Sequence, residues 1–254
     1  MTTATLEHLP FTTDAGIGEK ARIGTIILAA DHTIEHELRR LLALPGVDIF
    51  ATRIACDTRV TPASLRDMGE RIAPALELIL PGSTLDVVAF GCTSATMVLG
   101  EDFVFAEIAR VQPTARSTTP ITAALAAFEA LGAKRIAVLT PYTRDVNIVV
   151  QAFIEERGFT VPVFGSFNEP DDPTVGRIDS ESIENAICRL LDRSDADAVF
   201  VSCTSMRIAA RCAEIEARTG IPVTSSNHAL AWHCLKLANA NTRRPELGQL
   251  FTLE

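Results

Sequence analysis

Two stretches of the chain, Asp86-Val-Val-Ala-Phe-Gly-Cys92-Thr-Ser94 and Asp197-Ala-Val-Phe-Val-Ser-Cys203-Thr-Ser205, carry nearly the same text 111 residues apart. Each is an unbroken apolar run of strand length, the pattern of a strand buried on both faces of a parallel sheet. Each ends in Cys-Thr-Ser, where a chain leaving such a sheet turns toward a helix. Ligands in open α/β sheets bind at those carboxyl ends. A duplicated fold brings the two ends together and places a thiol on each wall of one cleft. Such a cleft suits proton transfer or a transient covalent bond.

The rest of the sequence repeats with the same rhythm. RIGTIIL (22–28) reads as a strand, IEHELRRLLAL (34–44) as a helix, VDIFATRI (47–54) as a strand and 62–80 as one helix with Pro62 in its first turn. LDVVAFG (85–91) is the strand before the first Cys-Thr-Ser, followed by a helix near 102–110. PITAALAAFEALG (120–132) is a helix opened by Pro and closed by Gly. KRIAVLT (134–140) starts the second cycle, with a helix over 143–157, an extended segment 159–167, and a helix 180–193 capped by Ser180. DAVFVSC (197–203), a helix over 206–218, IPVTSS (221–226) and HALAWHCLKLA (228–238) complete it. Strands alternating with helices predict an α/β fold: two pseudo-symmetric, doubly wound lobes with mostly parallel sheets and the active site in the cleft between them. The expected division is a flexible N-terminal extension (1–20), a first lobe (21–115), a second lobe (116–230), and a C-terminal helix and tail (231–254) packing back on the first.

Composition narrows the function classes. With 254 residues and 47% hydrophobic content the chain can build a sizeable core. A formal net charge of −9 with scattered basic residues argues against a nucleic-acid partner. No apolar run has the length of a membrane span, about 18 residues, and the N-terminal residues lack the pattern of a signal peptide. Six cysteines without a C-x-x-C pair read as reduced thiols of a cytoplasmic protein. His32 and His36 stand at a zinc-compatible i, i+4 spacing with no third ligand in sight, so no metal is expected.

Cys92 and Cys203 are the candidate reactive pair, each expected at a helix N-terminus that lowers its pKa. Cys56, Cys188, Cys212 and Cys234 read as structural. Thr93, Ser94, Thr204 and Ser205 fit either as helix N-caps or, with their backbone N–H groups, as a cradle for a carboxylate or enolate oxygen. His228 reads as a surface residue at the start of the last helix.

The motifs GCTSATMVLG (91–100), ITAALAAFEALGAKRIAVLTPYTRDVN (121–147), FVSCTSMR (200–207) and TGIPVTSSNHALAWHCLKLA (219–238) resemble the aspartate/glutamate racemase superfamily. Within it, the chain is most similar to the branch of maleate isomerases and arylmalonate decarboxylases. The resemblance spans residues 22–251 and implies cofactor-free chemistry in a two-lobed, homo-oligomeric protein acting on a small carboxylate. In racemases of this kind one thiolate removes an α-proton while the opposite thiol protonates the other face. In maleate isomerases one cysteine adds to the alkene, the C–C bond rotates and the thiolate leaves. The resemblance makes Cys92 and Cys203 the reactive pair and Tyr142 a contact to a substrate carboxylate.

Two positions depart from the maleate isomerase pattern. A carboxylate-binding asparagine in the first-strand turn is Asp31 here, in AADHTIEHE (29–37). A second asparagine falls near Asp172, with Asn168 as the alternative. An aspartate would repel maleate by several kcal/mol at intermediate dielectric, but would suit a cationic group, as in amino-acid racemases. His32 beside it reads equally as an added acid/base or as a loop partner of Asp31. The DHTIE turn also resembles racemase-like proteins encoded with ectoine-degradation enzymes. The expected activity is therefore racemisation or epimerisation beside the carboxylate of a nitrogen-containing acid. A maleate-type cis-trans isomerase and a non-catalytic small-ligand binder are the alternatives.

Overall fold

A computed structural model describes residues 4–253. Residues 4–20 run without regular secondary structure to the first strand. The first half then holds β1 (Ala21–Leu28), α1 (Ile34–Leu41), β2 (Val47–Ile54), α2 (Pro62–Arg66), α3 (Ile72–Leu76), β3 (Val87–Gly91), α4 (Thr93–Leu99), α5 (Glu101–Val111), β4 (Arg116–Thr118) and α6 (Pro120–Leu131). The second half holds β5 (Arg135–Thr140), α7 (Arg144–Glu155), β6 (Thr160–Ser166), α8 (Asp172–Val175), α9 (Ser180–Leu191), β7 (Ala198–Val201), α10 (Cys212–Thr219), β8 (Val223–Ser225) and α11 (Ser226–Leu237). Two four-stranded sheets result, ordered β2-β1-β3-β4 and β6-β5-β7-β8, and every strand pair in them is parallel. The two orders are the same when written from the start of each half, so the duplication legible in the sequence is a duplication of topology.

Burial explains the strand text. Every residue of β3 and β7 is buried, which is why these runs are unbroken apolar, whereas the edge strand β2 alternates between covered and open positions. The aspartate that opens each duplicated stretch has one task. Asp86 Oδ2 accepts the Arg22 N–H at 2.7 Å, and Asp197 Oδ1 accepts the Arg135 N–H at 2.9 Å. Each carboxylate thus ties the entry of a Cys-bearing strand to its neighbour.

Several boundaries differ from the sequence expectation. The 62–80 helix is broken because Pro74 has no N–H to continue a helical ladder, so α3 restarts with it in the first turn. Gly69 lies in the break, where a Cβ would come within 2.8 Å of the Phe103 ring. The three-residue strand β4 pairs with β3, so the first sheet reaches Thr118, beyond the expected lobe edge at 115. Asp179, not Ser180, caps α9, accepting the Ser182 N–H at 2.7 Å. His228 is fully buried rather than superficial: its ring bridges Thr224 Oγ1 at 3.0 Å and the Leu247 carbonyl at 2.9 Å. Burial pushes its pKa down to about 4, so it is neutral. The last helix, α11, lies against α6, α1 and β3 as well as β8, and so belongs to the seam between the halves.

Candidate active site

The first thiol sits where a strand becomes a helix. Cys92 follows β3 and is itself the N-cap of α4, its Sγ accepting the Ala95 N–H at 3.4 Å. Gly91 before it has a steric reason: a Cβ there would lie 2.6 Å from Ile34 Cδ1 and 3.0 Å from the Ile26 carbonyl oxygen. Its absence lets the first residue of α1 close on the end of β3 and draws the Asp31 turn toward Cys92. The second thiol is not at a helix start. Cys203 follows β7 in a turn, a 3₁₀ turn comes at Ala209–Arg211, and α10 begins only at Cys212, so the helix expected over 206–218 starts six residues later than expected.

Burial also reverses the expectation of acidic thiols. Both cysteines are nearly closed off from solvent, Cys92 at 4% and Cys203 at 5% exposure. Desolvation pushes Cys92 up to about 12, against the helping Ala95 N–H and Ser94 hydroxyl. Desolvation raises Cys203 still further, with the Asp172 charge next in importance. Asp31 and Asp172 oppose the ionisation of both thiols. In the free protein both sulfurs are therefore protonated at neutral pH.

Around them the predicted residues converge. The Tyr142 side chain, buried just beyond β5, is close enough to Ser94 from the first half and Cys203 from the second for both to act on its hydroxyl. Its pKa is pushed up first by burial and then by the two cysteines. The Asn147 side chain fixes this turn by donating to the Tyr142 carbonyl at 2.8 Å. Asp31 gives Oδ1 to the Thr33 and Ile34 N–H groups at 2.7 and 2.9 Å, so one oxygen is spent on the start of α1. Its other oxygen is buried and has no hydrogen-bond partner among the described residues. Asp172 leaves Oδ2 in the same condition. Desolvation raises Asp172 to about 6, while the nearby Ser205 side chain works the other way. Of the two candidates for the second asparagine position, Asp172 is the one brought to the site; Asn168 is exposed on its loop.

The remaining predicted groups are held by other contacts. The Thr93 hydroxyl meets Ser226 Oγ at 2.8 Å, the Thr204 carbonyl accepts from Asn227 Nδ2 at 2.7 Å, and the Ser205 carbonyl accepts from Thr33 Oγ1 at 2.9 Å. The first two residues of α11 thus hold one Cys-Thr-Ser turn each. His32 is exposed, near enough to Asp172 to favour its charge, and makes no hydrogen bond to Asp31 among those of the described residues.

Sequence reasoning missed Glu37 and Asn227. Buried Glu37 accepts the Ala209 N–H at 2.9 Å and Asn227 Nδ2 at 2.7 Å, joining α1 to the turn that carries Cys203. A carboxylate at an apolar position of an amphipathic helix was the available signal. Arg53, from β2, was also unread: its Nη1 donates to the Asp31 carbonyl at 2.9 Å and fixes that turn.

A family model described as arylmalonate decarboxylase matches residues 23–251. The chain belongs to this family. Among its relatives, a maleate isomerase of Nocardia farcinica is 30% identical over 241 residues, covering 90% of this chain and 94% of the relative. An arylmalonate decarboxylase of Bordetella bronchiseptica is 32% identical over 136 residues, 53% of this chain and 57% of the relative. Among solved structures, the maleate isomerase Iso of Pseudomonas putida S16 superposes with a TM-score of 0.82 at 26% identity, covering 91% of this chain and 98% of that one. A cysteine-to-serine mutant of the Nocardia farcinica maleate cis-trans isomerase, carrying a covalently bound succinylcysteine intermediate, also gives 0.82, at 27% identity and the same coverage. The fold of this arylmalonate decarboxylase family member is thus that of the two-lobed maleate isomerases.

Proposed function

We propose that the protein is a cofactor-independent, cysteine-based isomerase that racemises or epimerises a small carboxylic acid bearing a cationic nitrogen. The observation that carries this reading is the pair of buried, unpartnered carboxylate oxygens, Asp31 Oδ2 and Asp172 Oδ2, beside two buried thiols. An ammonium group between these oxygens satisfies both and removes the negative charge that adds to burial in holding the thiols protonated. Binding of the right substrate then makes a thiolate available only when it is needed. Cys92 and Cys203 act as the two-faced acid/base pair: one sulfur takes the α-proton while the other delivers its own to the opposite face. Ser94, Tyr142, Thr204 and Ser205, with the free N–H groups at the start of α4, receive the substrate carboxylate. Ectoine-derived amino acids are one substrate class of this chemistry, in keeping with the DHTIE turn.

A covalent, maleate-type cis-trans isomerisation is the second reading, favoured by the succinylcysteine adduct on a structural neighbour of TM-score 0.82. Proton NMR in deuterated water separates the two over a panel of amino acids, N-acyl diamino acids and maleate. Exchange of the α-hydrogen of an amino-bearing acid, lost in both Cys92→Ser and Cys203→Ser, is expected. Conversion of maleate to fumarate with no α-exchange on any amino acid would establish the second reading instead.

A further inference from the structure

Away from the thiols, a cavity of about 440 Å³ opens between α1, the segment 207–211 that leaves the second Cys-Thr-Ser turn, and the C-terminal residues Arg244 and Leu247. This volume is in the range of small-molecule sites. None of Cys92, Cys203, Tyr142, Asp31 and Asp172 lines it, so it is a different place from the site described above. In a chain of net charge −9 its lining carries four arginines, Arg40, Arg207, Arg211 and Arg244. Arg211 is held by Glu184 and Glu214, and Arg244 by Glu246 and the Leu41 carbonyl. Arg40 and Arg207 have neither an ion pair nor a hydrogen bond among the described residues. The one carboxylate in the lining, Glu37, does not neutralise them. Both of its oxygens are taken by the Ala209 N–H and by Asn227.

Guanidinium groups without a protein anion, converging on a concave surface of ligand size, are the elements of an oxyanion site, because their planar donors match carboxylate and phosphate oxygens in pairs. We infer that this cavity is a second ligand site, for a small molecule carrying several oxyanions, gripped by Arg40 and Arg207. The inference does not depend on the substrate proposed for the thiols. It has a structural consequence for them, however. Arg207 lies four residues after Cys203, and Glu37 on the cavity wall holds both Ala209 and, through Asn227, the Thr204 carbonyl. A ligand bridging Arg40 on α1 and Arg207 therefore fixes the segment that carries the second thiol.

Pyrophosphate and citrate, titrated calorimetrically into the full chain, test this with hydrogen exchange as the second readout. At least one is expected to bind with unit stoichiometry and to slow exchange in 34–41 and 207–211. Preference for pyrophosphate marks the natural ligand as a phosphate ester, and preference for citrate as a polycarboxylate. In the exposed double variant Arg40→Gln/Arg207→Gln the affinity should fall by about tenfold or more while the melting curve stays in place. Equal affinity in the double variant, protection confined to other segments, or no saturable binding of either probe at millimolar concentration would each overturn the inference.

Discussion

At the scale of single residues, the site is organised around what it leaves unsatisfied. A buried carboxylate oxygen without a partner is costly in the free protein, and here two of them face two thiols. In the proposed function, a substrate cation is what completes this arrangement. Asp172 is the sharper probe, because its charge is the second-largest cause of the raised Cys203 pKa, after burial. Asp172→Asn removes that charge at nearly constant volume. The Cys203 pKa should then fall, read as a shift of the ultraviolet thiolate absorbance to lower pH. Turnover of a cationic substrate should drop on the order of 10²-fold as the ammonium loses its counter-charge. An unchanged thiol titration would mean that Asp172 does not face Cys203 in solution.

At the scale of elements, the two halves share a topology but treat their cysteines differently. Cys92 is an N-cap, so its replacement has a structural component that must be separated from its chemistry. Serine is among the best N-caps and alanine among the poorest, with about 1 kcal/mol between them. Cys92→Ser should therefore melt near the wild type and Cys92→Ala lower by several degrees, with neither turning over substrate. A thermal scan of the pair, run beside the assay, checks this. The contrast also marks what the sequence could reveal. Buried strands announce themselves as apolar runs, and β1, β3, β5 and β7 were legible for that reason, together with the duplication and the pairing of Cys92 with Cys203. Short polar elements carry no period, so β4 (Arg-Ser-Thr) and α8 were not. The turn after Cys203 reads like the turn after Cys92 in three letters, yet one leads into a helix and the other does not. The difference lies in contacts from distant segments, Thr33 to Ser205 and Asn227 to Thr204, which no local pattern encodes. The same holds for the expected low thiol pKa: a helix N-terminus was visible in the text around Cys92, but the depth of burial that outweighs it was not.

At the scale of the whole molecule, the seam between the halves stores titratable groups and closes the cleft. Burial lifts Glu37 from the ordinary carboxylate value of 4.5 to about 7, and Asp172 from 3.8 to about 6. A carboxyl whose folded pKa is raised is at no disadvantage at low pH, where both states are protonated, and destabilises the fold as pH climbs through the folded pKa. Stability should therefore fall between about pH 4 and pH 7, the span from the ordinary to the raised values, by on the order of 3 kcal/mol for Glu37 alone. Glu37→Gln, which keeps an acceptor for the Ala209 N–H, should flatten that fall in denaturant titrations across the interval. Access to the thiols raises a separate demand. The Arg59 region of the first half and the Asp171 region of the second form an antiparallel bridge, with the Val60 N–H donating to the Pro170 carbonyl at 3.1 Å and the Asp172 N–H to the Thr58 carbonyl at 3.0 Å. This clasp ends on Asp172 itself, and the thiols are almost inaccessible, so its parting is the expected route of entry to them. Arg59 and Asp171 form the non-hydrogen-bonded pair of the bridge, where Cα atoms stand about 4.5 Å apart, within disulfide range. The double variant Arg59→Cys/Asp171→Cys should lose turnover when oxidised and regain it with dithiothreitol, while each single variant stays active in both conditions. Full activity in the oxidised, crosslinked protein would show that the substrate takes another path to Cys92 and Cys203.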